Sequence, residues 1–369
     1  MAIARATVVG AGIHGLWIAW RLLAEGYLVT LLDRGAIPNP DGASSDEHRL
    51  IHPLHAQTAA DLDRLQNAFS GWEQLWHALG RTHYRETGAV GGSHSSGPEL
   101  FAALAEAAPW CARLISPADL ADVVPRCRWR ARGAIIAVDH SGVLLANRIV
   151  RDLARLLAEA GCSLRAGCAV SAIDPASGWV WVEGGDRIDA DVLVVATGAD
   201  TGAWLPAMAP RLRPVRQTTA YFEPPASVLP GWRRAPVFVD IGASGDLWGA
   251  PPVAGTRLKF AASGLARAWT AEDPISHPAT VAALLDRVNA AFDTQGWRLS
   301  EIATRHYAHS VAGPPLIEAL PGSRGRAWIV AGCNGAGFKS APVVAEEIIT
   351  FLRHGCAPIP SQPFAATAA

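Results

Sequence analysis

Apolar positions along this chain follow two periods, and the places where one gives way to the other mark out the elements. Ala6-Thr7-Val8-Val9 and Leu28-Val29-Thr30-Leu31-Leu32 are short aliphatic runs of the kind found in strands buried on both faces. An apolar stretch from Leu16 to about Glu25 lies between them and predicts a helix. Leu62, Leu65, Phe69, Trp72 and Trp76 recur at three- and four-residue steps, so Ala59 to Leu79 predicts an amphipathic helix. A strand-like stretch follows over Tyr84–Val90. Residues 98–125 predict two short helices, the second opening at Ser116-Pro117, a hydroxyl cap before a proline. A strand over Ala134–Val138 and a helix over Asn147–Ala160 come next, the helix carrying Ile149, Val150, Leu153, Leu156 and Leu157 on one face. Short strands at Ser163–Arg165 and Val170–Ile173 and a hairpin around Trp179–Val182 and Arg187-Ile188 lead into the buried run Asp191–Val195. Residues 212–310 are rich in Val, Phe, Tyr and Trp with Pro-Gly turns, and hold one helix at about His277–Phe292. The strand Ala327–Gly332, a Gly-rich turn and a helix from Ala341 to about Arg353 close the pattern.

Helices alternating with buried aliphatic strands at both ends, and β-rich segments between them, predict an α/β fold in which a nucleotide-type domain is interleaved with a β-rich one. Residues 1–83, 141–212 and 311–369 are assigned to the first and residues 84–140 and 213–310 to the second. Composition restricts the partners. The net charge is −1, charged residues are 18% and no basic run is extended, which argues against nucleic acid. Hydrophobic residues make up 50% of the chain, yet no run reaches the ~18–20 apolar residues of a membrane span. Cys111, Cys127, Cys162, Cys168, Cys333 and Cys356 form neither a C-x-x-C pair nor zinc spacing, so free thiols in a reducing cytoplasm are expected. The chain opens almost directly on its first strand, so no targeting peptide is expected.

The candidate chemistry begins at the first switch of period. Gly10-Ala11-Gly12-Ile13-His14-Gly15 separates the first strand from its helix, and the second strand ends on Asp33. Gly10 suits a tight turn, Gly12 a close approach of backbone N–H groups to a pyrophosphate, and Gly15 tight helix–strand packing; the Asp33 carboxylate can accept from ribose hydroxyls. Strand, glycines, helix, strand and acid together predict a dinucleotide site. Ala196-Thr197-Gly198 opens a buried strand into a small-residue turn, as expected beneath a cofactor.

The order of Gly10-x-Gly12-x-x-Gly15, Arg49 after a Ser-rich loop, Ala196-Thr197-Gly198 and Ala331-Gly332-Cys333-Asn334-Gly335-Ala336-Gly337-Phe338-Lys339 resembles the FAD-dependent amine oxidoreductases of the D-amino-acid oxidase superfamily, in particular the sarcosine oxidase branch. The resemblance implies a doubly wound FAD-binding domain carrying a mixed-sheet α+β substrate domain with FAD between them, noncovalent in this chain because Arg305 replaces the linking cysteine. Its contacts would come from Gly10, Gly12, Ile13, His14, Gly15, Asp33, Arg34, Ser44, Ser45, Arg49, Leu50, Val170, Ala196, Thr197, Gly198 and Gly335, Ala336, Gly337, Phe338 and Lys339. It also implies that Lys259 stands over the flavin to activate oxygen, with Arg49, His52 and Tyr307 in the catalytic group and Trp248, Tyr307 and Lys339 lining the substrate pocket. A cation ~4 Å from an anion formed from O2 stabilises it by about 4 kcal/mol at an effective dielectric of ~20, roughly a thousandfold in rate. Without the resemblance, Lys259 reads as a snorkelling surface lysine and Trp248 as a sheet core residue.

Two departures from the family matter. Arg305 stands where relatives carry the flavin-linking cysteine, and arginine forms no thioether; Cys333 is read as a small core residue. His52 stands where they carry the substrate-carboxylate arginine and cannot form its bidentate fork. The resemblance therefore implies oxidation of a small-molecule amine or amino acid larger than sarcosine, by hydride transfer to flavin N5, hydrolysis of the imine and O2 as acceptor. A His–Asp base is not required by that chemistry. A flavin dehydrogenase serving a quinone or protein, an NAD(P)-dependent reductase and a non-catalytic FAD subunit remain alternatives. His48, His52 and His55 lack a metal motif, so no metal is expected, and the assembly expected is a monomer or small homo-oligomer.

Overall fold

A computed structural model of the chain describes residues 3–56, 58–92, 104, 110–116, 118–129, 135–270 and 277–354. Its first sheet has six strands in the order Leu316–Ala319, Ala327–Ala331, Val192–Val195, Arg5–Val9, Leu28–Leu32 and Ser163–Arg165. All neighbours are parallel except the outer pair, Leu316–Ala319 with Ala327–Ala331. Val8 pairs with Val194 on one side and Leu31 on the other, and all three side chains are buried, which is why these runs carry no polar alternation. The helices Ile13–Ala24 and Gly337–His354 pack together beside this sheet, joined at the surface by Arg21 and Glu346 at 2.9 Å.

The helix Ala59–Leu79 opens on a reciprocal capping box. The Thr58 hydroxyl accepts from the Asp61 N–H, and the Asp61 carboxylate accepts from the Thr58 N–H. Its Trp72 sits edge-on to Trp17 at 5.2 Å and stacks on Phe338 at 5.9 Å, tying the helix to both Gly-turn helices.

The second large sheet has nine strands. The long strand Leu212–Glu223 pairs antiparallel with Arg298–Ser310 and with the short Arg267–Ala268, and the order continues through Leu258–Ala262, Leu247–Ala250, Val237–Ile241, Ala89–Gly92, Ile135–Val138 and Ala112–Ile115. Phe238, Phe260, Phe292 and Trp232 form an aromatic core with Leu284 and Val288 of the helix Pro278–Ala291. Two three-stranded sheets complete the fold: Arg49–Ile51, Gly142–Leu144 and Tyr84–Glu86 in one, Val170–Asp174, Trp179–Val182 and Arg187–Asp189 in the other.

Several expected elements differ from those observed. The stretch Tyr84–Val90 is two strands, Tyr84–Glu86 and Ala89–Gly92, in different sheets; Gly88 at φ +71° turns the chain between them. Ala112–Ile115 is a strand paired with Ile135–Val138 where a helix is expected, because sheet pairing overrides local preference. The helix after Ser116 is only Leu120–Val123, although Ser116 does accept from the Asp119 N–H. The first short helix expected after residue 98 lies largely outside the described residues, as do Ala134, Pro117 and Cys356. The last helix begins at Gly337, four residues earlier than expected, with Pro342 inside it; a Cβ on Gly71 would come within 2.4 Å of that proline, so the glycine lets the Trp72 helix pass over it. Among the described residues no helix is long and apolar enough to cross a membrane.

Candidate active site

The two large sheets enclose a cavity of about 1030 Å³. That is at the top of the range for drug-sized ligands and leaves room for a dinucleotide with a second small molecule. It is lined by the Gly10–His14 turn, Asp33 and Arg34, the loop from Ser44 to His55, the Ala196–Gly198 turn and the Gly335–Lys339 turn from one side. Trp248, Lys259, Arg305 and Tyr307 line it from the nine-stranded sheet.

The glycines have the geometry their spacing predicts. Gly10 has φ +101°, and a Cβ there would lie 2.4 Å from the Ala196 carbonyl oxygen. A Cβ on Gly15 would lie 1.8 Å from the Gly10 carbonyl oxygen, so helix and turn touch at backbone level. Ser44 Oγ accepts from the Ile13 N–H at 2.8 Å, drawing its loop onto the helix start. Asp33 braces the turn: Oδ2 accepts from the Ala11 N–H at 2.9 Å, and Oδ1 from the Gly35 N–H at 2.8 Å and Asn39 Nδ2 at 3.1 Å. His14, beneath Gly337, is held neutral by burial, its pKa pushed down to about 4. Residue His14 lines the cavity, and its ring Nε2 is buried with no hydrogen-bond partner among the described residues. Two glycine turns that open into helices, at positions where a Cβ would meet backbone or neighbouring side chains, fit a phosphate-linked cofactor such as FAD.

The opposite wall is cationic and aromatic. Lys259 is 1% exposed, so the snorkelling reading of the sequence is wrong: Nζ donates to Asp46 Oδ2 at 2.5 Å and to the His48 carbonyl at 3.3 Å. It lies 5.3 Å from the centre of the Trp248 ring. Burial pulls its pKa down to about 8, against the opposing pull of Asp46. Asp46 also accepts from Arg49 and from the Tyr221 hydroxyl, and these donors hold its carboxyl far below the usual range despite burial. Arg49 also donates to the His48 and Ala43 carbonyls. Lys339 is buried, its pKa also lowered by burial to about 8. Burial, with Lys339 and His55 nearby, drives the His52 pKa well below its ordinary value. Its Nδ1 accepts from the Leu54 N–H at 3.2 Å, so the neutral ring carries its proton on Nε2. Burial pushes the Tyr307 phenol up to about 12, and a Cβ on Gly335 would stand 3.8 Å from its ring.

Almost every site residue expected from the sequence meets at this one cavity. Two do not line it. Gly15 acts through packing, and the Ser45 hydroxyl turns to Asn147 while its carbonyl accepts from Arg305 Nε at 2.8 Å. Sequence reasoning missed Asp46 and Tyr221, and missed a His–Asp pair: His55 Nε2 is 3.0 Å from Asp240 Oδ2, with the His52 ring edge-on at 4.9 Å. Asp240 is held at φ +54°, uncommon for a residue with a side chain. Trp269 and His306, stacked at 4.4 Å, also line the cavity unforeseen. No local signal links these partners. Among the described residues no group of three or more His, Cys, Asp or Glu is placed to hold a metal ion.

Comparison with known proteins agrees with this architecture. Residues 5–350 match the family described as FAD dependent oxidoreductase. N-methyl-L-tryptophan oxidase of Salmonella arizonae is 24% identical over 357 residues, 93% of each chain. The mouse (Mus musculus) peroxisomal sarcosine oxidase is 26% identical over 173 residues, 46% of this chain; the match spans less than half, 44%, of that relative's length. L-proline dehydrogenase from P. horikoshii has the same fold, with a TM-score of 0.81 at 17% identity, covering 98% of this chain and 97% of the other. A fructosamine oxidase from Aspergillus fumigatus aligns with a TM-score of 0.76 at 18% identity, over 97% of this chain and 88% of the other. The match over nearly the full chain, the glycine turns and the cavity they line together establish that this chain belongs to the FAD-dependent oxidoreductase family of the D-amino-acid oxidase type, on its sarcosine oxidase-like side, with FAD as its cofactor.

Proposed function

We propose that the protein oxidises the C–N bond of a bulky amine or amino acid, with the imine released to hydrolysis and O2 reduced to H2O2. The observation that carries this reading is the cavity in which the dinucleotide turns and the aromatic, cationic face of the nine-stranded sheet confront one another. Bound FAD supplies the acceptor for the hydride on the carbon next to nitrogen. The residues of the chain orient the amine: Trp248 and Tyr307 offer apolar faces, the neutral His52 one N–H donor, and Lys339 a cation for a carboxylate. Lys259 is the cation toward which oxygen is reduced. The names of the relatives, oxidases of sarcosine and of an N-methyl amino acid, support amine chemistry and oxygen as acceptor.

In this reading residues 1–83, 141–212 and 311–369 hold FAD, and 84–140 and 213–310 shape the substrate face. FAD is held without a covalent bond, since Arg305 replaces the linking cysteine and its guanidinium is turned to the Ser45 carbonyl. Acid denaturation should leave all the flavin in the supernatant. The protein works in the cytoplasm as a monomer or small homo-oligomer, without nucleic acid or membrane. The test is an anaerobic screen of amines and amino acids for bleaching of the flavin band. Bleaching by bulky secondary amines is expected. Bleaching by NADH or NADPH alone, or by no amine at all, defeats the assignment, and dye reduction without oxygen consumption would make the enzyme a dehydrogenase.

A further inference from the structure

We propose that Asp46 is the counterion that keeps Lys259 an ammonium and aims it, so that the oxygen step depends on this loop carboxylate as well as on the lysine; the inference rests on the reading of Lys259 as the oxygen-facing cation. The two residues are 213 apart in the chain and meet in the interior, at 1% and 4% side-chain exposure, with Nζ 2.5 Å from Oδ2. A buried ammonium survives only where an anion compensates its lost hydration.

The surroundings of Lys259 make Asp46 the compensating anion. The strand Arg49–Ile51 contributes Arg49 and the loop before it the neutral His48; Leu212–Glu223 contributes the Tyr221 phenol; Leu247–Ala250 the Trp248 ring; and Arg298–Ser310 contributes Arg305. Arg49 and Arg305 both press the lysine toward losing its proton, and Asp46, through its charge and its hydrogen bond, opposes them. Geometry adds direction. Two Nζ donors go to Asp46 and the His48 carbonyl, leaving the third for the cavity that Lys259 lines. Asp46 is itself fixed: its Oδ1 accepts from the Glu47 N–H at 2.7 Å and from Tyr221, and its Oδ2 from Arg49 as well as Lys259. It acts through the lysine, as a positioning residue.

The sign of the pH dependence follows. With burial pulling the Lys259 pKa down to about 8, the oxygen step should be fast below that pH and slow above it. Without the carboxylate the same transition should move to lower pH. The experiment mixes photoreduced wild-type, Asp46→Asn, Lys259→Met and doubly substituted holoenzymes with O2 between pH 6 and 10. It also follows thermal melting of the four apo-proteins, which reports the pair without cofactor. Lys259→Met should be slow by about a hundred- to a thousandfold at pH 7 and flat with pH. Asp46→Asn should show the transition at least about one unit lower, hence be at least about threefold slower than wild type at pH 7.5 and close to tenfold slower at pH 9, and recover toward acid. The double variant should be no slower than Lys259→Met. In the apo-proteins, adding Lys259→Met to Asp46→Asn should raise the melting temperature by removing the stranded ammonium.

An Asp46→Asn profile with the wild-type midpoint, beside a slow Lys259→Met, overturns this inference and leaves the reading of Lys259 standing. A Lys259→Met enzyme that reoxidises like wild type overturns that reading and the inference with it. If Asp46→Asn yields no holoenzyme, Asp46→Ser is put to the same tests with the same expected and contrary results.

Discussion

At the dinucleotide end of the cavity, Gly10, Gly12, Gly15 and Asp33 come from one strand–helix–strand unit, in which Gly10 and Gly15 meet at backbone level and the Asp33 carboxylate accepts from the Ala11 backbone N–H. At the amine end, Lys259 meets Asp46, His55 meets Asp240 and Arg305 meets Ser45, each pair drawn from two distant stretches of chain and touching mainly through side chains. The first end is specified by steric exclusion, which only glycine satisfies. The second is specified by charge compensation in a dry interior, which several residue combinations can satisfy. A cofactor shared by many enzymes suits the first construction, and a substrate peculiar to one enzyme suits the second.

The comparison breaks most severely at Gly15. Gly15→Val places a branched side chain where even a Cβ would stand 1.8 Å from a backbone oxygen, and strain of this kind can be relieved only by moving the helix. The purified variant should be colourless, with no flavin released by acid. A yellow variant with the wild-type FAD content would show that the turn tolerates what its geometry forbids. Smaller in effect is Lys259→Met, which should slow reoxidation by up to about a thousandfold while changing anaerobic reduction by substrate less than about tenfold. Equal losses in both half-reactions would mean that the lysine organises the pocket and has no particular role toward oxygen. The smallest effect is expected at His52. Restoring a bidentate partner by His52→Arg should improve kcat/KM for sarcosine about ten- to a hundredfold, the equivalent of about 1.5–3 kcal/mol for a charge-assisted pair. Efficient sarcosine turnover by the unmodified protein would show that the carboxylate is bound elsewhere, with Lys339 the first alternative.

The same contrast explains what the sequence discloses. The Gly10–Asp33 unit is legible because its parts are adjacent and each glycine answers a steric demand written in spacing. The Ala196–Gly198 and Gly335–Lys339 turns are legible through the resemblance, and they do line the cavity. Lys259 is visible as a position, but its environment is not. A lysine between Leu258 and Phe260 reads equally as a surface residue until Asp46 is brought beneath it. His52 reads as a pH-dependent carboxylate partner, whereas burial among Lys339 and His55 holds it neutral. Asp240 and His55 carry no mutual signal across the 185 positions that separate them. In the fold, the buried strands and long amphipathic helices are readable from periodicity, while Ala112–Ile115 and the division at Gly88 depend on which sheet captures each segment.

The central claim is that one cavity lets the amine carbon deliver its hydride to the flavin, and a single stopped-flow measurement addresses it directly. The oxidised enzyme is mixed without oxygen with the best bulky amine from the screen, once in ordinary form and once deuterated at the carbon next to nitrogen. The account predicts complete bleaching of the flavin band in a single turnover, slowed several-fold by deuterium, with one carbonyl product per flavin after hydrolysis. Flavin that stays oxidised under saturating amine, yet bleaches on photoreduction, would contradict it.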